Sequence, residues 1–345
     1  MSGPPEVAVI VGAYGRRPYL VRAVRSVLAQ TLPRERFELL VTKNFDDAEI
    51  DAELARDAVP TLLDDDPRIG PWLLRAVGRT RAPLVAFLDD DDEFEPDRLE
   101  EVLKVARARP EVGFYRNRVR VIDDGGSPVP VESWRAHERD ASFDASGPVL
   151  LGPGAKPGVV RYAAGGVNAG FNSSTMVVRR ELLEGTFGEA FARTQLPDLA
   201  LYVLGALGPG AMYLDDRRLT RFRYYGGNVT HRVGWLRHAE ASNRDLAAFA
   251  RSRGDAGLSS WLEREADHYD RLYRSGSLVE GIVRGDGRGA AARRAAEYLR
   301  FLARHPAERR WTLDVWAAPI YATVNALVPS LARSVAKRRP TRRDS

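Results

Sequence analysis

Residues 84–99 read LVAFLDDDDEFEPDRL. An apolar run of strand formers, Leu84, Val85, Ala86, Phe87 and Leu88, ends abruptly in Asp89, Asp90, Asp91 and Asp92, and Pro96 then opens a segment with helical spacing. This pattern predicts a buried strand that delivers carboxylates to its own carboxyl-terminal edge. Side chains alternate along an extended backbone, so Asp89 and Asp91 share one face and Asp90 takes the other. Neighbouring like charges repel by about 1 kcal/mol per pair in water and by ~4 kcal/mol at an effective dielectric of 20. Ionised aspartates at the end of a buried strand therefore want a cation, and an all-oxygen donor set suits Mg2+ or Mn2+. An EF-hand calcium loop is disfavoured, because Phe94 stands where that turn needs glycine. The other acid runs, Asp64 to Asp66, Asp123-Asp124 and Asp215-Asp216, lack a buried strand in front of them and read as solvated loops.

Upstream, Val7 to Val11 is fully apolar and runs into Gly12-Ala13-Tyr14-Gly15, a central strand ending in a tight loop. Pro18 suits a first helical turn, and Leu20, Val21, Val24, Val27 and Leu28 recur at helical spacing. A second strand follows at residues 37–42, then a short helix at 48–58, a short strand at 61–63 and a helix from Gly70 to about Gly78. Strand and helix alternating at this pitch predict an α/β fold, a mostly parallel twisted sheet with helices on both faces. Ligands of such sheets bind beyond the carboxyl ends of the strands, where Asp89 to Asp92 lie.

The chain has 345 residues, enough for two domains or one large domain with an appendage. It has no cysteine, so disulfides and thiolate metal sites are excluded. The first apolar run is short and lacks a basic leader, so no secretory signal is expected and the chain is placed in the cytoplasm. Residues 331–345 carry a net charge of +5, equal to that of the whole chain, so the body is neutral. Nucleic-acid binding is disfavoured on this ground, and the basic tail points instead to an anionic surface.

Ala13-Tyr14-Gly15-Arg16 after the first strand, Ser26 to Thr31 closing the first helix, Phe37 to Val41, and Leu88 to Asp92 with Pro96 four residues on resemble, in this order and spacing, the family 2 glycosyltransferases of the GT-A fold. The resemblance implies an inverting transferase that moves a sugar from a nucleotide-diphospho-sugar, such as a UDP- or GDP-sugar, to a hydroxyl acceptor. It implies that Asp89 and Asp91 hold a divalent cation, Mn2+ or Mg2+, with Asp90 as helper, and that Ala13, Tyr14, Arg16 and Asp89 border the nucleotide. Relatives carry an aspartate at the end of strand two to read the base. Here Lys43-Asn44 stands there, leaving Asn44 and Asp46, or Asp47, as substitutes.

Further along, strands are expected within residues 111–122 and over Asn172 to Val178, with a helix from Arg180 to Glu184. Residues 127–170 are rich in glycine, proline and polar residues, and read as an acceptor-site lid or as a surface excursion. Asp198 opens the apolar helix Leu199 to Leu207; it reads as a helix cap, or, by the resemblance, as the catalytic base. Arg223 and His231 fall in a stretch similar to the family's closing loop, which implies diphosphate contacts; a surface or structural role is the alternative for each.

Beyond residue 232 helices are expected at 233–252, 258–274 and 288–304, and then an apolar stripe over residues 311–336. The stripe suits an amphipathic helix in the membrane interface, a spanning helix, or a face packed on the protein itself. The expected organisation is a GT-A catalytic domain at 1–231, a helical extension at 232–310 and a membrane-associated helix with a basic tail at 311–345. The protein would then sit on the inner face of the cell membrane, with a glycan or lipid-linked acceptor. Two rivals remain at this point: a nucleotidyltransferase on a related fold, and a non-catalytic membrane-attached module that binds nucleotide-sugar.

Overall fold

The computed structural model describes residues 3–15, 17–130, 147–152, 170–225, 233–284 and, from 289 to 300, all but 291, 292, 295 and 299. The chain opens with β1 (Val7–Ala13), α1 (Arg17–Leu28), β2 (Phe37–Lys43), α2 (Ala48–Arg56), β3 (Thr61–Leu63), α3 (Ile69–Val77) and β4 (Leu84–Asp89), the alternation that the sequence predicts. β1 lies between β2 and β4 and is parallel to both, and β3 runs parallel outside β2. All of β1 is buried, as befits an apolar strand covered on both faces.

After β4 come β5 (Glu93–Phe94), α4 (Arg98–Ala108), β6 (Val112–Ile122), β7 (Val149–Leu151), β8 (Met176–Arg179), α5 (Gly185–Arg193), α6 (Pro197–Leu207) and β9 (Ala211–Arg223). Among the described residues the sheet runs β3-β2-β1-β4-β8-β6-β9-β5, with β7 on β9. Its first four strands are mutually parallel, and β6 and β9 are parallel to each other. β8 is antiparallel to both β4 and β6, so the sheet changes direction beside the aspartate-tipped strand.

Strand alternation builds a core on each face. Val7, Val9 and Val11 of β1 join Leu20, Val24 and Val27 of α1 and Leu99, Val102 and Leu103 of α4 on one face. On the other, Ile10, Val85 and Phe87 meet Trp72 and Leu73 of α3, Phe191 of α5 and Leu201 and Leu204 of α6. A Cβ added at Gly205 would lie 2.7 Å from the Phe114 side chain, so α6 rests on β6 more closely than alanine permits. That contact fixes the helix whose first turn carries Asp198.

Several local expectations change. Within residues 111–122 there is a single strand, β6 (Val112–Ile122). The strand expected from Asn172 starts only at Met176: Asn172 has φ +65° and introduces a short 3-10 turn, Ser173–Thr175. The helix expected at Arg180 to Glu184 is a 3-10 turn over Arg180–Leu183, while α5 and β9 were not anticipated.

Two helices follow, α7 (Val233–Ser252) and α8 (Ala256–Arg284). The described residues within 3–225 and 245–262 form one compact unit, and those within 233–244 and 263–300 form another. In the first unit, Leu246, Ala247, Leu258 and Leu262 enter the core that holds α6. In the second, Arg237 pairs with Glu240 and Asp270, which also takes Arg274 at 2.9 Å. No helix among the described residues is long and apolar enough to cross a membrane, and the stripe and tail at 311–345 lie outside them.

Candidate active site

β4 stops at Asp89, and the backbone then turns: the Asp92 N–H donates to the Asp89 carbonyl at 3.2 Å. Strict alternation therefore fails after Asp89. The turn folds Asp92 back, so that one carboxylate oxygen from each of Asp89, Asp91 and Asp92 lies within 4.8 Å of the others. Asp90 does point away from this group, as alternation requires, and its Oδ2 accepts the Tyr14 N–H at 3.0 Å.

Asp92 is the member that the sequence reading missed. It is fully buried, and accepts from Asn172 Nδ2 at 2.8 Å, Ser174 Oγ at 2.7 Å and the Arg223 N–H at 3.0 Å. Burial, reinforced by the negative charges of Asp91 and Asp89, pushes its carboxyl well above the ordinary range. Ser173 Oγ donates to Asp89 Oδ1 at 2.9 Å, and the Asp89 N–H donates to Ser174 Oγ at 3.0 Å. The Tyr225 hydroxyl donates to Asp91 Oδ2 at 3.3 Å.

Two of the other acid runs are met by basic side chains, Asp64 by Arg75 at 2.5 Å, Asp66 by Arg68 at 3.2 Å and Asp215 by Arg217 at 2.6 Å, while Asp124 accepts from the Tyr19 hydroxyl and Asp123 from the Ser127 N–H. Asp89 and Asp92 instead accept from hydroxyls, an amide and a backbone N–H. An all-carboxylate oxygen set under mutual repulsion fits a hard divalent cation. Asp89 and Asp91 suit the ligand positions best, since three donors already hold Asp92 from behind.

Asp198 occupies the first turn of α6, after Pro197 at the helix start. Its Oδ1 accepts the Leu199 N–H at 2.9 Å and its Oδ2 the Asn172 N–H at 3.2 Å. Part of its surface stays open, but enough protein surrounds it that desolvation raises its pKa to about 6, with the Asp89 charge adding to the rise. A carboxylate in this range accepts a proton near neutral pH and can return it.

The nucleotide candidates line the same edge. β1 and β4 pair at Gly12 and Asp89, and β1 and β2 at Ala13 and Lys43. Tyr14, Asn44 and Asp46 are exposed beside them, while Ala13 is buried. Lys43 is tucked under the loop, donating to the Phe45 carbonyl at 2.6 Å and pairing with Asp51 at 3.0 Å. A cavity of about 320 Å3 borders this loop on the α2 side, lined by Lys43, Asp46, Asp51, Ala55 and Thr61, and does not include the aspartates of β4. Arg16 and His231 lie outside the described residues.

Arg223, expected to grip a diphosphate, has no exposed surface. Nε donates to the Asp91 carbonyl at 2.9 Å, Nη1 to the carbonyls of Asp123 and Asp124 at 2.8 and 2.9 Å, and Nη2 pairs with Glu93. In this geometry it braces the aspartate turn from beneath.

Two solved structures share this fold. TarS 1–349 of S. aureus in complex with UDP-GlcNAc is 13% identical, with a TM-score of 0.52, covering 96% of this chain and 90% of that one. The mannosyltransferase PcManGT from Pyrobaculum calidifontis, in complex with GDP-Man and Mn2+, is 17% identical with a TM-score of 0.50 over 95% and 88%. By sequence, an uncharacterized glycosyltransferase of Haemophilus influenzae is 26% identical over 132 residues, and one of Nostoc sp. 31% over 135 residues. Each match covers 36% of this chain and only 44% and 39% of the respective relative. The model of glycosyl transferase family 2 matches residues 8–184, just over half of the chain. With that match, on a sheet carrying its aspartates at the carboxyl edge of β4, the chain belongs to glycosyl transferase family 2.

Proposed function

We propose that the protein is an inverting glycosyltransferase that moves a sugar from a nucleotide-diphospho-sugar to an acceptor hydroxyl. The observation that carries the reading is the convergence of Asp89, Asp91 and Asp92 at the end of β4, facing a carboxylate, Asp198, that is raised to about 6. Sugar transfer breaks the bond between the anomeric carbon and a diphosphate oxygen while the acceptor oxygen forms a new bond on the opposite face. The leaving diphosphate takes the electron pair, and the acceptor proton passes to Asp198. A divalent cation held by Asp89 and Asp91 would supply a Lewis acid for the leaving group. Tyr14, Asn44 and Asp46, exposed on the neighbouring strand ends, are the candidate contacts for the nucleoside, and Asp90 anchors the Tyr14 backbone.

The apolar stripe and basic tail at 311–345 support a lipid-linked or membrane-bound acceptor, on sequence pattern alone. Attachment to the inner face of the membrane belongs to the same proposal.

A thermal-shift panel of UDP, GDP, ADP, CDP and dTDP with and without Mn2+, on wild type and Asp91→Asn, tests the donor site. A ligand at a hundred times its Kd adds about 2.7 kcal/mol to stability. A Mn2+-dependent shift for one nucleotide, lost in Asp91→Asn, supports the reading; no shift with any of them refutes it. Asp198→Asn should lower turnover on the order of 10²- to 10⁴-fold, and near-wild-type turnover would remove Asp198 as base. Nucleoside diphosphate as product excludes a nucleotidyltransferase, which would release pyrophosphate.

A further inference from the structure

Asn172 occupies a backbone conformation, φ +65° and ψ 102°, that residues with side chains rarely adopt. Strain of this kind persists only where surrounding structure over-determines it. Here the surroundings are both halves of the site. Its side-chain Nδ2 donates to Asp92 Oδ2 at 2.8 Å, while its backbone N–H donates to Asp198 Oδ2 at 3.2 Å. Its Oδ1 accepts the Ser174 N–H at 2.7 Å, and its carbonyl accepts Thr175 Oγ1 at 2.7 Å. The same short turn supplies Ser173 Oγ to Asp89 and Ser174 Oγ to Asp92.

One residue thus touches the carboxylate group at the end of β4 and the carboxylate at the start of α6, two elements that are far apart in the chain. Resting on the reading of Asp198 as base, we propose that Asn172 is a positioning residue: its side-chain amide, anchored on Asp92, holds its own N–H against Asp198 and so fixes the base relative to the carboxylates that hold the metal. Glycine meets this backbone conformation without steric cost. What asparagine adds is the amide anchor, and with it the distance between acceptor activation and donor binding.

The variant that removes the anchor is Asn172→Gly, which keeps the backbone N–H and the positive-φ turn and loses the amide, with both its bond to Asp92 and the one it accepts from the Ser174 N–H. Three measurements on the full chain decide: the melting temperature, to establish folding; the Kd of UDP and GDP with Mn2+ by calorimetry; and kcat and KM for nucleoside diphosphate release from UDP-GlcNAc and GDP-mannose. The proposal expects Asn172→Gly to bind nucleotide with Mn2+ within about threefold of wild type and to keep its KM, while kcat falls by roughly 10- to 100-fold. It further expects Asn172→Gly to add no loss to that of Asp198→Asn, since no base is then left to misplace. A wild-type kcat in Asn172→Gly, losses that multiply in the double variant, or a parallel loss of nucleotide affinity would overturn it. If Asp198→Asn alone retains wild-type turnover, or the wild type releases no nucleoside diphosphate from either donor, the parent reading fails and this inference with it. A silent Asn172→Gly beside a damaged Asp198→Asn sinks the inference alone.

Discussion

Asp198→Asn should change stability in a pH-dependent way whose sign follows from its surroundings. In the folded protein the carboxyl titrates at about 6, against an ordinary value of 3.8. The folded state therefore holds a proton that the unfolded chain has released between these values. Stability from this group is fully present below 3.8, and is lost as pH rises through about 6. The total is about 3 kcal/mol at 1.36 kcal/mol per pH unit, with about 2 kcal/mol of it falling between pH 4.5 and 7.5. Screening at the open part of the Asp198 surface trims this toward about 1–2 kcal/mol. Asparagine does not titrate. It also places an NH2 group against one of the two backbone N–H groups that the carboxylate accepts, a cost of about 1–3 kcal/mol that is independent of pH. The variant should therefore be less stable than wild type at pH 4.5 and gain on it by about 1–2 kcal/mol by pH 7.5. Urea unfolding of both proteins in EDTA, at half-unit steps across that range, measures the difference directly. A flat difference, or one that moves against the variant as pH rises, would refute the desolvated state of Asp198.

Three further outcomes are expected. In the metal-saturated enzyme, log(kcat/KM) should fall with unit slope as pH drops through a value at or below about 6, because a bound cation offsets the Asp89 charge that helps to raise Asp198; a profile level down to pH 4.5 would count against a carboxylate base. Removing divalent metal with EDTA should abolish donor cleavage, and Mn2+ should restore it in wild type but not in Asp91→Asn, as read by nucleoside diphosphate release. Gly205→Ala should lower stability by about 1–3 kcal/mol in urea unfolding despite the better helix former, because the new methyl meets Phe114 at 2.7 Å; a neutral result would mean that α6 can move off β6.

The first half of the fold was legible because its strands are apolar on both faces and its helices carry clear stripes. β1, β2, β3 and β4 therefore lie where hydrophobicity places them. The second half hid behind charge. β9 contains Asp215, Asp216, Arg217, Arg218, Arg221 and Arg223, a composition that reads as surface, yet it pairs with β6 over most of its length. Its charges are met within the fold, Arg217 by Asp215 and Glu101, and Arg221 by Glu95. α5 was obscured by Gly185 and Gly188, which helical patterning penalises. At the site, Asp89 and Asp91 followed from alternation. Asp92 did not, because it enters through the turn that ends alternation. Asn172 was masked by the strand formers after it, since a left-handed residue leaves no signature in hydrophobic periodicity.

The place where the sheet changes direction accounts for the site. β8 pairs with β4 only through Leu84, Val85 and Ala86, so the ladder on that side ends before the aspartates. On the other side β1 continues alongside to Asp89. The Asp89 N–H, left without a strand partner on the β8 side, is taken by the Ser174 hydroxyl, which in turn donates to Asp92. The left-handed turn at Asn172 is what withdraws the chain from the ladder at this point. Backbone pairing is thus exchanged for side chains that can hold carboxylates. Those carboxylates come from β4 and the turn after it, while Asp198 opens α6 and the turn that reaches it leads into β8. The candidate donor and acceptor groups then meet beyond the carboxyl end of β4, the side on which open α/β sheets bind their ligands.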